Sequence, residues 1–269
     1  MHKETKQGIL SGKKVIGGKN MNEVIKTIQN HRSIRKFEDK LLSDEQIKTI
    51  VESAQAASTS SYVQAYSIIG VKDPDKKKKL AELAGGQDYV AENGHFFVFC
   101  ADLYRHQLLS EKHEQDTSQV LESTEKFMVA VIDATLAAQN AVLAAESMGL
   151  GAVYIGGLRN NLDEVCKLLK TPSLVLPLFG VAVGYPAQMP DQKQRLPFQH
   201  IYHEDEYEQN KENYMDQLEK YDEDISQYYE QRTNGKRKDT WTGQMAGLLA
   251  RPSRMYMKEF VEGKGLNKR

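Results

Sequence analysis

The chain has 269 residues, of which 40% are hydrophobic and 27% are charged, and its formal net charge is -1. This length supports a substantial core in one or two domains, and the near-neutral charge gives no basis for binding nucleic acid or an anionic membrane. The two cysteines, Cys100 and Cys166, form no CxxC motif, which excludes a disulfide framework and favours a reducing cytoplasm.

Residues 1–20 are rich in Lys and Gly and lack the hydrophobic region of a signal peptide. We expect a disordered leader or tag there, and a folded domain over residues 21–269. Within that domain, the spacing of Val24, Ile25 and Ile28 predicts a first helix that runs towards His31.

A basic cluster follows this helix at once, formed by His31, Arg32, Ser33 and Arg35. Arginine suits phosphate because its planar guanidinium donates two parallel hydrogen bonds. The alternative is an ordinary basic surface. The apolar Ile34 within the cluster favours a position against the body of the protein.

Ser43 or Asp44 can cap a second helix, which ends in four consecutive hydroxyl residues, 58–61. Such hydroxyls compete with helix hydrogen bonds and favour a loop. The loop is either a simple polar turn or a set of donors around a polar ligand. In the second case Tyr62 stands at its edge.

Three apolar runs predict strands, at Ser67–Val71, Phe96–Ala101 and Leu178–Val183. A turn is predicted at residues 73–75, and the run Lys76–Lys79 is expected to be a solvated helix start.

The segment Phe127–Gly157 organises the rest of the chain. Its helical part is apolar over most of its circumference, apart from Asp133 and Glu146, so it must be buried on several sides. Because polar residues interrupt it, we expect no membrane span. A short strand follows and ends at Gly156-Gly157, which can admit a flat ring close to backbone amides.

The C-terminal part begins with a proline-bounded loop that carries Lys193 and Arg195. From residue 202 the chain is acidic and Tyr-rich, and it becomes basic at residues 236–238. Its polar helices cannot form a core of their own. We therefore expect residues 202–269 to be an extension that wraps over the body or over a partner subunit.

Several common active-site motifs are missing from the sequence. It contains no HExxH, no GxSxG, no Walker A motif and no GxGxxG after a strand. The remaining candidates are the basic cluster, the hydroxyl loop, Gln87, the glycine pair and the later basic pair. Together they suit a flavin mononucleotide better than a plain phosphate.

The segments HRSIRKF, SAQAASTSSYVQ, LAGGQ, FCADLYRH, AAQNAVLAAESMGLGAVYIGGLRNN, LPLFGVAVGYPA and PDQKQRLP resemble the family of NADPH-dependent flavin reductases and oxygen-insensitive nitroreductases. The resemblance implies an α+β, nitroreductase-like fold with a central, mostly antiparallel sheet flanked by helices. It also implies a homodimer with FMN at the subunit interface. The C-terminal extension is then expected to wrap the partner subunit.

The resemblance further implies ping-pong transfer of hydride from NADPH to bound FMN, then to free flavin, nitroaromatic or quinone acceptors. FMN carries this chemistry, so no catalytic side chain and no metal are expected. The residues that correspond to the family's FMN-binding positions are His31, Arg32, Ser33, Arg35, Thr59, Gln87, Tyr154, Ile155, Gly156, Gly157, Lys193 and Arg195. Tyr62 corresponds to the substrate pocket, and Arg232, Lys236 and Arg237 correspond to a loop that binds the 2′-phosphate of NADPH.

Two alternatives stay open. The physiological acceptor could be a nitro compound or a disulfide, with flavin reduction incidental. The protein could instead be a flavin-binding carrier or redox sensor with slow turnover, although a carrier has no need for a basic loop in its tail.

Overall fold

The computed structural model describes residues 21–269. Over this range the chain forms one four-stranded sheet and ten α-helices, the α+β arrangement that the resemblance implies. The strands are β1 Tyr66–Val71, β2 His95–Asp102, β3 Gly151–Ile155 and β4 Val175–Gly184. The helices are α1 Glu23–Gln29, α2 Asp44–Gln55, α3 Pro74–Leu83, α4 Tyr104–His113, α5 Ser118–Leu121, α6 Thr124–Ser147, α7 Leu162–Leu169, α8 Lys211–Arg232, α9 Trp241–Leu249 and α10 Met257–Gly263. The leader expected over residues 1–20 lies outside the described residues.

The sheet has the order β1-β2-β4-β3, and its neighbouring strands are antiparallel. β4 begins three residues before the predicted Leu178, because the strand continues across a bulge in which the partner of Cys100 is Pro177. A bulge accommodates proline inside a sheet, since proline has no N–H for the ladder.

The free edge of β3 is covered by the segment that carries the basic cluster. Ser33 forms a parallel bridge with Ala152, and the backbone N–H of Ile34 donates to the Ala152 carbonyl at 3.0 Å. A side chain at Gly151 would collide with Ile34, whose Cγ1 lies 2.5 Å from an ideal Cβ position. Strand β3 and the segment that carries the basic cluster therefore pack together as one unit.

Helix α6 packs against α2 and the sheet through small residues. Its buried alanines let the neighbouring backbones approach closely, and Ser123 caps its N-terminus. By length and composition alone the helix could cross a bilayer. Its packing, and the burial of Asp133 within the protein, make it a core helix. Met128, Ile132 and Leu136 remain exposed on one face.

Two local expectations about α3 are wrong. Residues 73–75 are not a free turn: Asp73 caps the helix and Pro74 is its first residue, a position that suits proline because no N–H is needed there. Lys76, Lys78 and Lys79 are exposed as expected, but Lys77 is not solvated. Its side chain is only 6% exposed, and its ammonium donates to the Asn93 carbonyl at 2.8 Å. Burial lowers the pKa of Lys77.

The end of the chain returns to its own body. Val261 of α10 and Leu266 are buried in a core cluster with Leu174, and the Leu174 N–H donates to the Lys264 carbonyl at 2.7 Å. Earlier in the C-terminal extension, helix α8 also buries two side chains, Tyr221 and Ile225.

Candidate functional site

The two basic groups predicted from distant parts of the sequence meet at one cavity of about 100 Å³. This volume accommodates a single small anionic group. The cavity is lined by His31, Arg32, Ser33, Arg35, Pro190, Asp191, Lys193, Arg195 and Arg232. We call it the basic cavity.

The histidine of this cavity is held from the far end of α6. The Nδ1 atom of His31 lies 2.6 Å from Oε1 of Glu146, and both side chains are largely shielded from solvent. A carboxylate at that distance fixes the orientation of the imidazole. The cluster is thus anchored twice, by the bridge to β3 and by this contact.

Arg32 carries the clearest sign of a missing partner. Among the described residues its Nε atom is buried and has no hydrogen-bond acceptor, whereas Nη1 donates to the Asn30 carbonyl. Leaving a buried donor unsatisfied costs about 1–3 kcal/mol. Arg32 lines the basic cavity, so an anionic oxygen bound there is a candidate acceptor for this donor, and the cationic lining fits a phosphate group.

The glycine pair begins a short turn, Gly156–Asn160, directly after β3. An ideal Cβ on Gly157 would lie 2.4 Å from the Ala84 carbonyl oxygen and 2.5 Å from Nε2 of Gln87. Gln87 in turn donates to that carbonyl at 2.6 Å and accepts from the Tyr89 hydroxyl at 2.5 Å. The structure therefore brings Gln87 and Gly157 together, as two parts of one tightly fitted loop contact.

Tyr154 and Ile155 differ in what they can offer a ligand. Ile155 is 1% exposed, so its side chain belongs to the core and only its backbone can face a ligand. Tyr154 is partly exposed and its hydroxyl lies 3.3 Å from Oε1 of Gln139. Burial, assisted by the negative charge of Glu146, raises the pKa of Tyr154 to about 12. The phenol stays neutral and serves as a hydrogen-bonding group.

The hydroxyl loop is strained and fixed by Asp133. Ser61, Tyr62 and Gln64 have left-handed φ values of 50°, 60° and 54°, which cost free energy for residues other than glycine. The fully buried carboxylate of Asp133 accepts hydrogen bonds of 3.0 Å from the N–H groups of Ser60 and Ala65, on either side of these residues. Tyr62 is held 82% exposed.

Neither Thr59 nor Tyr62 lines the basic cavity of the same chain. Asp133 and Glu146 hold loops of the candidate site in place, a role that was not predicted from the sequence. The signal was present, because both are charges in an otherwise apolar helix, but their partners lie 68 to 115 positions away.

Of the three cations predicted for the tail, one lines the basic cavity and two do not. Arg232 lines the basic cavity, and its Nη1 donates to the Tyr228 hydroxyl at 2.8 Å. Arg237 lies over the ring of Tyr229, 4.7 Å from its centroid, and its Nε donates to Asp239 at 2.6 Å. Lys236 is exposed.

Metal-binding clusters and exposed thiols were both sought among residues 21–269. In this range no group of three His, Cys, Asp or Glu side chains is placed to hold a metal ion. Cys100 and Cys166 are buried, and burial raises the pKa of the Cys100 thiol, which opposes formation of a nucleophilic thiolate.

Known proteins are similar to this chain in sequence and in architecture. A sequence model described as "Nitroreductase family" matches residues 28–185, and one described as "Nitroreductase family, C-terminal domain" matches residues 193–269. A Bacillus subtilis protein named FMN reductase (NADPH) is 58% identical over 92% of this chain and 100% of its own length.

Two solved structures superpose over almost the whole chain. The structure of B. megaterium NfrA1 has a TM-score of 0.91 and 68% identity, covering 92% of this chain and 100% of that one. The NADPH:FMN oxidoreductase from Vibrio harveyi, complexed with NAD+, has a TM-score of 0.83 and 40% identity with the same coverage.

Proposed function

The chain belongs to the nitroreductase family, and from that premise we propose that it is an FMN-dependent oxidoreductase that uses NADPH to reduce free flavin. The similar protein from B. subtilis is named FMN reductase (NADPH), which supports both the cofactor and the reductant. Nitroaromatic compounds and quinones are further acceptors in this proposal.

The observation that carries the proposal is the basic cavity with the unpartnered Nε of Arg32. We assign it to the phosphate of FMN, held by His31, Arg32, Ser33, Lys193 and Arg195. Arg35, which also lines this cavity, is assigned to the edge of the flavin ring where reduction develops negative charge.

The ring itself is assigned to the contact between Gln87 and the loop Tyr154–Gly157. The space beside Gly157 is filled by the Ala84 carbonyl and Gln87. The backbone that a flat ring can approach is therefore that of the partly exposed Gly156, which has no side chain in the way. Bound FMN supplies the redox chemistry, by ping-pong transfer of hydride from NADPH to the acceptor. The residues of the chain bind and orient the ring, and none is needed as acid, base or nucleophile.

We further infer that the working form is a cytoplasmic homodimer in which the C-terminal extension contacts the partner subunit. The expectation that all of residues 202–269 wraps the partner is corrected by the packing of α10 and Leu266 on their own body. Thr59 and Tyr62 lie outside the basic cavity of their own chain, so a second copy is needed if the hydroxyl loop is to complete the site. The exposed apolar residues Met128, Ile132 and Leu136 on α6 supply a surface for that contact.

The proposal is tested by loading the protein with FMN and following NADPH oxidation with excess free FMN, a nitroaromatic, a quinone or a disulfide. We expect turnover with free FMN, at a higher kcat/KM than with the disulfide. A protein that binds FMN but oxidises NADPH only once would be a carrier. A protein that does not bind FMN would contradict the proposal entirely.

A further inference from the structure

The turn Gly156–Asn160, beside which the flavin ring is assigned, is tied down by a hydroxyl from the C-terminal extension. The hydroxyl of Tyr256 donates to the Arg159 carbonyl at 2.7 Å and accepts the backbone N–H of Leu162 at 3.1 Å. Arg159 belongs to the turn, and Leu162 is the first residue of α7. One hydroxyl therefore joins the end of the turn to the helix that follows it.

The start of α7 depends on this hydroxyl for a cap. The residue before the helix, Asn161, makes no capping hydrogen bond with its side chain, and the first N–H groups of a helix have no acceptor within the helix. Tyr256 supplies the acceptor that a capping side chain ordinarily provides. Removal of its hydroxyl would free both the start of α7 and the end of the turn.

Tyr256 is itself held in place. Its ring packs against the core cluster that contains Leu266, and it meets Phe260 at an angle of 79° with centroids 6.0 Å apart. A neighbouring residue of the extension makes a second contact with the turn, because Nε of Arg254 donates to Oδ1 of Asn160 at 3.0 Å. The extension therefore contacts the turn at two successive residues.

The backbone held by Tyr256 carries the side chain nearest to the exposed glycine of the turn. Nη1 of Arg159 donates to the Leu178 carbonyl in β4 at 2.6 Å. Nη2 of Arg159 lies 3.1 Å from the position that a Cβ on Gly156 would take. A shift of the Arg159 backbone would therefore change the surface at Gly156, where the ring is assigned.

We propose that Tyr256 is a positioning residue for the flavin ring, an inference that rests on the function proposed above. Its hydroxyl acts through the backbone of Arg159 and does not contact FMN itself. The C-terminal extension thereby contributes to a site whose ring-binding residues lie in β3 and in the turn after it.

The variant Tyr256→Phe keeps the aromatic ring and removes only the hydroxyl. From the net contribution of such hydrogen bonds, we expect FMN to bind about twofold to tenfold more weakly, measured by flavin fluorescence on dilution. At saturating FMN, the visible circular dichroism of the bound flavin should also change, because the surroundings of the ring differ.

The matched control is Tyr185→Phe, at a second half-buried tyrosine. The Tyr185 hydroxyl accepts from Nε2 of Gln46 at 3.1 Å and does not line the basic cavity. Urea unfolding should show a similar loss of stability in the two variants, whereas only Tyr256→Phe should change FMN affinity and the flavin spectrum. Amide hydrogen exchange of residues 156–162 should be faster in Tyr256→Phe than in Tyr185→Phe.

Parent-like FMN affinity and an unchanged flavin spectrum in Tyr256→Phe overturn this inference and leave the proposed function standing. Equal weakening of FMN binding in the two variants also overturns it, because a loss shared with Tyr185→Phe reflects global stability. A parent protein that does not bind FMN contradicts the proposed function itself, and that result is seen before either variant is made.

Discussion

Asp133 and Glu146, the two charges in the apolar part of α6, each hold a loop that carries candidate ligand-binding residues. Asp133 fixes the strained hydroxyl loop through two backbone N–H groups, and Glu146 orients His31. A buried carboxylate is costly unless it is hydrogen-bonded. Each carboxylate is hydrogen-bonded to the loop that it positions, so these contacts offset the free-energy cost of placing a charge on a core helix.

Arg35 allows a direct test at the level of one residue. Arg35→Ala removes a guanidinium from the basic cavity, and a hydrogen bond to a charged group contributes about 1.5–3 kcal/mol. We expect FMN to bind roughly tenfold to a hundredfold more weakly, measured by flavin fluorescence on dilution. Lys36→Ala is the control, because this neighbouring lysine is exposed and does not line the cavity. Equal FMN affinity of the parent and both variants would remove Arg35 from the site.

His95 predicts how stability depends on pH. It is buried, and burial together with the nearby charges of Lys72 and Lys77 lowers its pKa to about 4 from an ordinary value of 6.5. As the pH falls, the unfolded chain therefore takes up a proton at His95 at a higher pH than the folded chain does. The folded state should lose stability between about pH 6.5 and pH 4, by up to about 3 kcal/mol from this residue.

The measurement for His95 is urea unfolding across this pH range. His95→Phe should lose less stability than the parent on acidification, because the buried titrating group is gone. His113→Phe, at an exposed histidine, should follow the parent protein. If His95→Phe shows the parent's pH dependence, His95 does not contribute to acid sensitivity.

The turn after β3 is the most closely fitted element of the site. Gly157→Ala places a methyl group 2.4 Å from the Ala84 carbonyl oxygen, which belongs to the backbone and cannot swing aside. Overpacking of this kind costs about 1–3 kcal/mol. We expect a lower free energy of unfolding in urea and weaker FMN binding.

The neighbouring Gly156→Ala is the matched control for Gly157→Ala. Its methyl group would meet the flexible guanidinium of Arg159 at 3.1 Å, so we expect a loss below about 1 kcal/mol. Equal effects of the two substitutions would show that the contact between Gly157 and Gln87 does not hold the turn.

Most secondary-structure elements could be predicted because their signals are local. The capping box formed by Ser43 and Gln46 marks the start of α2, and the apolar circumference of α6 marks a core helix. The burial of Lys77 could not be predicted, since it depends on the Asn93 carbonyl 16 positions away. In the site, the basic cluster was expected to act together with Lys193 and Arg195, but Arg232 was expected in a separate NADPH-binding loop. Its place in the basic cavity follows from the path of α8, which no local pattern shows.

At the scale of the whole molecule, dimerisation and flavin binding should be coupled. Ile132→Lys places a charge in the exposed apolar stripe of α6. We expect the dimer to dissociate in sedimentation velocity experiments, and FMN to be lost in parallel, because the hydroxyl loop of the second copy is removed. Leu109→Lys, at an exposed leucine of α4, is the control and should remain dimeric. A monomeric Ile132→Lys protein that retains FMN would separate the two properties.

Reduction of bound FMN by NADPH is tested most directly by anaerobic stopped-flow mixing of the FMN-loaded protein with NADPH or NADH, followed through the visible absorbance of bound FMN. Under the proposed function, NADPH bleaches the bound flavin rapidly, NADH at equal concentration does so more slowly, and free FMN restores the absorbance. Bound FMN that stays oxidised in the presence of NADPH would contradict it.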